Sequence, residues 1–426
     1  MITNGRFQTI NDAYDFLESR NQYGSKLGLY TMDRLMDLLE HPEDRVFTIH
    51  LAGTNGKGSL GAYLTSILGK MGLSTYHFSS PAVFDPRDIF RYNGEPILDE
   101  HYLECASKIF HAVSQLDQEN IHATRFEVET AIAIYGATYL QSDVLILETG
   151  MGGAEDATNV IKSPQICAFT NISYDHMQFL GESLTEIATV KAGIIKPSCT
   201  IFSAEQEIEV KSVLDEKADG RVHYVDAKAL ELISVKPGEL KFKYKGMDYE
   251  TSLAGLYQMK NAALAIEIAH FMKCSQEKIK EGIKTARWNG RFQVLSKEPY
   301  FIMDGAHNVD AIKQLAKTIK LSFTNKPIDF IIGVLKDKEY EEMMEIITPL
   351  ASRIYTITPP NARGLDGKIL EKIIRKWHKD VTYFDSIDEA VKTAWIHGKE
   401  TGHSILAFGS LSYLGEVRDC HNKYFK

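Results

Sequence analysis

Val46-Phe47-Thr48-Ile49-His50-Leu51-Ala52 followed by Gly53-Thr54-Asn55-Gly56-Lys57-Gly58-Ser59 decides how this chain folds. The first seven residues read as a buried strand, the next seven as a glycine-rich loop, and a helical pattern follows. With no side chain on three glycines, successive backbone N–H groups can turn toward an anion. The helix N-terminus adds partial positive charge, and Lys57 reaches the outer phosphates. A glycine-rich turn with a solvated lysine is the plain alternative, and the strand, loop and helix context argues against it. The common nucleotide pattern G-x-x-x-x-G-K-[ST] needs a glycine at Leu51 and a hydroxyl directly after the lysine, where this chain has Gly58. Ordinary GTPases and motor ATPases therefore fit poorly. A dinucleotide turn fits poorly too, because Gly150-Met151-Gly152-Gly153-Ala154-Glu155 lacks the third glycine.

Outward from that loop, residues 45 to 200 alternate β-like apolar runs with helical segments. Val46 to Ala52, Asp143 to Leu147 and Ile166 to Thr170 read as strands, and Phe126 to Leu140 as a buried helix. Ser183-Leu184-Thr185-Glu186 is a capping box that opens the helix carrying Lys191. From about 229 to 253 short β segments separated by Pro237-Gly238 and Lys245-Gly246 predict a small antiparallel sheet, attached to the first domain as an insertion or edge. A second unit starts after Arg291, with strands at Phe301-Ile302-Met303, Phe330-Ile331-Ile332, Ile354 to Ile357 and Ile405 to Phe408. The expected fold is α/β. An N-terminal P-loop nucleotide-binding domain, residues 1–293, combines a mostly parallel sheet with the small antiparallel one. A smaller Rossmann-like α/β domain, residues 299–426, follows. The cleft between two such domains is the expected place for chemistry.

Composition narrows the class. At 426 residues with 44% apolar content, two or three domains with real cores are expected. The five cysteines are odd in number, widely spaced and never in a C-x-x-C pair, which argues against a disulfide framework and a zinc site and for a reducing cytoplasm. No apolar run approaches the roughly 18 residues of a membrane span, and the N-terminus has no leader pattern. The net charge of −9 disfavours nucleic acid as a partner. An anionic small substrate needs local positive charge, which Lys57, Lys191, Arg291 and a metal accompanying ATP supply.

Several strand-end motifs carry chemistry. Glu148 closes an apolar run and precedes Thr149-Gly150-Met151-Gly152-Gly153. A carboxylate there sits beside the phosphate loop and can hold Mg²⁺; a solvated strand-end glutamate is the alternative. Asp175-His176 follows the strand at Ile166 in the same topological position, so His176 is a second ligand or phosphate contact, or a structural histidine. Asp304-Gly305-Ala306-His307-Asn308 repeats the strand-then-polar-turn arrangement in the second domain, and two such turns closing on one nucleotide would expel water from the reacting phosphate. Tyr257-Gln258-Met259-Lys260-Asn261 opens an alanine-rich helix, where ordinary polar capping is the local reading.

Taken together with Ser80-Pro81, Asn93-Gly94, Asp156-Ala157-Thr158-Asn159, Leu180-Gly181, Lys191-Ala192-Gly193-Ile194-Ile195-Lys196, Asn261-Ala262-Ala263, and Trp288 with Gly290-Arg291, these motifs resemble the folylpolyglutamate synthase and dihydrofolate synthase family, relatives of the bacterial cell-wall Mur ligases. The resemblance spans most of the chain. It implies ATP- and Mg²⁺-dependent amide formation between the γ-carboxylate of a reduced folate and the amino group of L-glutamate, through an acyl phosphate. No protein nucleophile is needed, and no G-x-S-x-G elbow is convincing. By motif, Thr54, Asn55, Gly56, Lys57, Gly58 and Ser59 hold phosphates, while Asn261, Arg291, Asp304 and His307 contact ATP. Ser80, Glu148, His176 and Lys191 are the implied metal set, with Lys191 carbamylated in the family; an unmodified lysine paired with phosphate or carboxylate is the alternative. Lys57, Lys191 and His176 form the implied catalytic set. Lys26, Gly28, Thr124, Phe126 and Asp156 fall in the implied folate-side set, with Phe126 either stacking on a pterin or serving as core.

The chain departs from the family at Ala82, Asp88-Ile89, Ala154, Asn289 and Val309. The ATP motifs are intact and the folate-side motifs have drifted, which favours glutamate-chain extension over use of dihydropteroate. Two alternatives stand beside that reading: a bifunctional enzyme that also makes dihydrofolate, and a non-catalytic ATP-binding protein that has lost the folate site. The resemblance further implies a monomer that works without nucleic acid or membrane.

Overall fold

The computed structural model describes residues 2–3, 6–24, 26, 28–324 and 326–425. Leu27, which stands between the folate-side candidates Lys26 and Gly28, lies outside them. By backbone contacts the chain divides into two compact units. The first is Met1–Ala82, Arg87–Ala227 and Lys260–Gly282; the second is Val83–Pro86, Lys228–Met259 and Ile283–Lys426.

The first unit is built on an eight-stranded sheet. Its order is Val222–Tyr224, Thr200–Ser203, Ile166–Phe169, Phe47–Ala52, Val144–Glu148, Thr75–Phe78, Phe90–Tyr92 and Glu95–Pro96. The first six run parallel, and the last two turn back antiparallel. Phe47–Ala52 lies inside the sheet and is buried from Thr48 to Ala52, with Phe47, Ile49 and Leu51 on one face and Thr48, His50 and Ala52 on the other. Helix Lys57–Met71 leaves it directly, and helix Arg125–Tyr139 feeds Val144–Glu148. The latter begins in a reciprocal capping box, Thr124 with Glu127, and helix Leu184–Ala192 in another, Ser183 with Glu186. Each box satisfies two backbone N–H groups that a helix start otherwise leaves open.

The second unit carries a six-stranded sheet in the order Gln293–Lys297, Tyr300–Asp304, Ser404–Phe408, Ile328–Ile332, Arg353–Thr356 and Val381–Tyr383. Only its first pair is antiparallel. The same unit holds the three-stranded antiparallel sheet Leu230–Lys236, Glu239–Tyr244 and Met247–Thr251, turning at Gly238 and at Lys245-Gly246. Both Lys245 and Gly246 have positive φ, as a tight two-residue hairpin turn requires. The small sheet therefore groups with the C-terminal sheet, where the sequence pattern attaches it to the N-terminal one. The segment after it explains this: Leu256 N–H donates to Thr318 Oγ1 at 3.0 Å, on helix Val309–Ser322. Among the described residues no helix is long and apolar enough to cross a membrane, and the five cysteines are unpaired.

Candidate active site

In the first unit, four neighbouring parallel strands end at one edge, and each hands its next residues to that edge. The central strand supplies the loop 53–59, its neighbours supply Glu148 and the segment leading to Asp175-His176, and the next strand supplies Ser80. This is where a doubly wound sheet presents polar groups to a ligand.

The loop is stapled down before it meets anything. Thr54 N–H donates to Asn171 O at 2.8 Å, and Thr54 Oγ1 donates to Ser173 O at 2.9 Å while accepting Ser173 N–H at 3.0 Å. Gly56 has φ +99°, and a Cβ there would lie 2.4 Å from Asn261 Oδ1, so glycine alone lets the loop pass this close to helix Gln258–Phe271. Ser59 is buried in the first turn of the following helix.

Two lysines converge on one backbone oxygen. Lys57 Nζ donates to Gly53 O at 3.0 Å, and Lys191 Nζ donates to the same oxygen at 3.1 Å. Lys57 also stands 3.6 Å from Glu148 Oε1. Lys191 is buried, and that burial, followed by repulsion from Lys57, lowers its ammonium to about 7 against the partial support of Asp175 and Asp156. A substantial neutral fraction of the amine therefore exists near neutral pH.

Lys191 is held in place by the turn after Glu148. A Cβ on Gly153 would come within 2.8 Å of the Lys191 and Val190 carbonyl oxygens, and Ala154 N–H donates to Val190 O at 2.9 Å. Asp156 ties the turn to itself, accepting Met151 N–H at 2.8 Å, Thr158 N–H at 3.0 Å and the Thr158 hydroxyl at 2.5 Å. Thr158 Oγ1 is also 2.9 Å from Nε2 of the fully buried His50. Burial pushes that imidazole down to about 3, so it is neutral.

The second unit has its own strand-end turn. Asp304 is buried at the end of Tyr300–Asp304, where Oδ2 accepts the Tyr257 hydroxyl and Phe292 N–H, each at 2.8 Å, and Oδ1 accepts Ala306 N–H at 2.8 Å. Burial raises its pKa, and the Arg291 guanidinium opposes that rise most. Arg291 Nη1 donates to Gly290 O at 3.1 Å, and His307 Nδ1 is 2.7 Å from Gly305 O. Asn308 caps helix Val309–Ser322.

Residues 51–269 match the Mur ligase middle domain, and residues 290–411 match the Mur ligase glutamate ligase domain. The chain is 33% identical to the dihydrofolate synthase/folylpolyglutamate synthase of Bacillus subtilis (strain 168), over 97% of this chain and 99% of that one. It belongs to the folylpolyglutamate synthase/dihydrofolate synthase family of Mur ligases. The folylpolyglutamate synthase of Lacticaseibacillus casei is 30% identical over 76% of this chain and 80% of its own. Among solved structures, Mycobacterium tuberculosis folylpolyglutamate synthase complexed with ADP superposes with a TM-score of 0.87, at 26% identity over 96% of this chain and 97% of that chain. E. coli FolC in complex with DHPP and ADP gives 0.84, at 25% identity over 97% and 98%.

Within this family member the structure gathers the predicted residues unevenly. The loop 53–59, Glu148, Lys191 and Asn261 form one cluster by the contacts above. Ser80 and the exposed His176 lie on the same sheet edge, on opposite sides of the loop strand. Of the folate-side set, Phe126 packs on the Glu148 turn: a Cβ on Gly150 would touch its ring at 2.4 Å, and Phe78 is 5.9 Å away by ring centroids. Gly28 N–H reaches Glu155 O at 3.3 Å, and Lys26 Nζ reaches His122 O at 3.3 Å. Thr124 and Asp156 spend their side chains on capping, of the helix at Arg125 and of the short turn Ala157–Val160. His50 joins the site without any sequence signal, whereas Asp175 and Tyr257 stand in motifs the sequence picks out without being assigned a site role there.

A carboxylate at a strand end, a hydroxyl on the neighbouring strand end and a phosphate loop suit Mg²⁺, which keeps most of its shell as water and phosphate oxygens. Glu148 is buried at its strand end and faces Lys57 Nζ at 3.6 Å.

Proposed function

We propose that this protein is an ATP-dependent ligase that adds L-glutamate to the γ-carboxylate of reduced folates. The observation that carries the reading is the pair of lysines on the Gly53 carbonyl beside Glu148. It places a cation, Lys57, against a carboxylate at a phosphate loop, which suits a phosphoryl transfer whose nucleophiles are both substrates. A folate carboxylate oxygen attacks the γ-phosphorus of ATP, and ADP leaves. The glutamate amine then attacks the acyl carbon, loses a proton, and phosphate departs with the C–O bond. Lys57 follows the charge on the transferring phosphoryl group, and the loop N–H groups fix its position. Glu148 and Ser80 are the residues that would hold Mg²⁺, with His176 on the far side of the loop strand; the ion would neutralise phosphate charge. We assign ATP contacts to Asn261, Arg291, Asp304 and His307, and folate-side contacts to Lys26, Gly28, Thr124, Phe126 and Asp156, each testable by the affinity of the alanine variant.

A second reading, a bifunctional enzyme that also makes dihydrofolate, is favoured by one observation: the B. subtilis relative bears both names. Comparing dihydropteroate with tetrahydrofolate as acceptor, with products weighed by mass spectrometry, separates the two. Glutamylation of tetrahydrofolate alone supports the dedicated synthase; product from both supports the bifunctional enzyme; product from neither rejects both.

Lys191 is proposed to carry a carbamate. Its partly neutral amine can attack CO₂, forming an N–C bond and releasing a proton, which turns a cation into a carboxylate beside the phosphate loop. The Lys191→Ala variant is then expected to regain part of its activity with added short carboxylates. No rescue, together with no carbamate carbon signal from ¹³CO₂-equilibrated protein, would reject the modification. We further place the enzyme in the cytoplasm as a monomer, with its domains meeting in sequence between residues 293 and 299.

A further inference from the structure

Far along the chain from the phosphate loop, the C-terminal sheet buries a carboxyl group that, among the described residues, has no lysine or arginine ion-pair partner. Asp329, the second residue of strand Ile328–Ile332, is fully buried. Its Oδ2 lies 2.6 Å from His397 Nδ1, and its Oδ1 lies 2.8 Å from His403 Nδ1. These two imidazoles are its ion-pair partners among the described residues. His397 sits in helix Ile387–Thr401, and His403 sits between the helix C-cap Gly402 and strand Ser404–Phe408. Three elements thus bring one carboxylate and two imidazoles to a single point, with all three ligand atoms within 4.8 Å of one another. The rings stand nearly perpendicular, at 83° and 4.8 Å between centroids. Each histidine side chain keeps 20% of its surface exposed, so the cluster opens to solvent on one side.

A buried carboxylate costs several kcal/mol unless it is well paired. The two imidazoles between them meet both carboxylate oxygens of Asp329. The neighbouring Tyr355 hydroxyl is pushed up to about 12, by burial first and by Asp329 second. Two nitrogens and one carboxylate oxygen converging on a solvent-open point form the donor set of a divalent transition-metal site that keeps water in its remaining position.

We propose that Asp329, His397 and His403 bind a divalent transition metal, with Zn²⁺ the best match. Metal–ligand bonds of about 2.0–2.2 Å place tetrahedral ligand atoms roughly 3.3 Å apart, between the 2.6 and 2.8 Å nitrogen–oxygen spacings and the 4.8 Å that bounds all three ligand atoms, a change within reach of side-chain rotations. In the bound form each imidazole presents its Nδ1 lone pair to the ion and carries its N–H at Nε2. The ion then clips helix Ile387–Thr401 to the sheet, a stabilising role separate from ligation.

The test uses the full-length protein stripped with chelator, then given Zn²⁺ in a large excess of Mg²⁺. Magnesium fills oxygen-rich sites and competes poorly for imidazole. A single Zn²⁺ retained per chain after gel filtration is expected, with a raised Tm. His397→Gln and His403→Gln should each weaken retention by at least the roughly 10–100-fold that outer-shell changes alone cost, whereas Lys57→Ala should retain the ion. Because a variant can fail by misfolding, the ligand-field spectrum of the Co²⁺-loaded wild type provides an independent reading. A nitrogen/oxygen four-coordinate signature supports the site. Failure of the wild type to retain Zn²⁺, retention unchanged in both variants, or a six-coordinate oxygen-type cobalt spectrum overturns it.

Discussion

The two strand-end turns of this molecule share a plan and differ in how they handle charge. At residues 53–59 the groups that face inward are cations: Lys57 and Lys191 crowd one carbonyl oxygen, and Lys191 is driven toward neutrality by burial and by its neighbour. At residues 304–308 the buried group is an anion, and it is fully spoken for by Tyr257, two backbone N–H groups and the nearby Arg291. The first turn gathers like charge around one carbonyl oxygen, which is costly to hold. The second has hydrogen bonds to both carboxylate oxygens, so it anchors the backbone around it as well as offering the ATP contacts proposed above. On the proposed function the same strand-then-turn grammar yields a reactive edge in one place and, in the other, a clamp that also meets the nucleotide.

That contrast predicts different failures. Lys57→Ala should leave the fold intact and lower kcat/KM for ligation by roughly 10²–10³-fold, the usual cost of losing one group aimed at developing charge; near-normal turnover would break the assignment of the reactive edge. Asp304→Ala should act the other way, destabilising the protein by about 3 kcal/mol, because it strands two N–H groups, a hydroxyl and Arg291. A denaturation midpoint equal to that of the wild type would show that the turn is not a clamp.

Lys191 gives a pH test of the crowding. Its folded value of about 7 lies below the ordinary 10.5, so between those values the unfolded chain binds the extra proton. Stability should rise with pH across that window, by up to about 1.4 kcal/mol per pH unit, while below pH 7 the full cost of the buried ammonium remains. In CO₂-free buffer, Lys191→Met should flatten that slope relative to wild type; parallel curves would mean the amine is not perturbed. The smallest effect belongs to Thr158→Val, which cuts the hydroxyl joining His50 to Asp156 and should cost about 1 kcal/mol, read by urea denaturation.

Much of this was written in the sequence because local chemistry and global fold agree there. The largely apolar run at 47–52 marks a buried strand, and Gly56 and Lys57 mark the loop that follows it as a phosphate-loop candidate. Ser183 and Glu186 announce the helix of Lys191 three residues apart. Short strands escaped: Thr75–Phe78 and Val381–Tyr383 are too brief to show periodicity, and Gln293–Lys297, with its three polar residues, owes its pairing to the neighbour at Tyr300. The antiparallel sheet was visible from its turns, whereas its grouping with the second unit depends on contacts such as Leu256 to Thr318, which no local pattern encodes. Histidines were the least legible group. His50 lies mid-strand and His397 and His403 flank a helix end, and only folding reveals that each meets a partner.

The most direct test of the central claim is phosphate release by the wild-type protein with ATP, Mg²⁺ and tetrahydrofolate, measured with and without L-glutamate, and with the folate product weighed. Release that requires both folate and glutamate, matched by a product heavier by glutamyl residues, is the predicted result. ATP bound yet never turned over in the presence of both would contradict the ligase and leave a nucleotide-binding protein in its place.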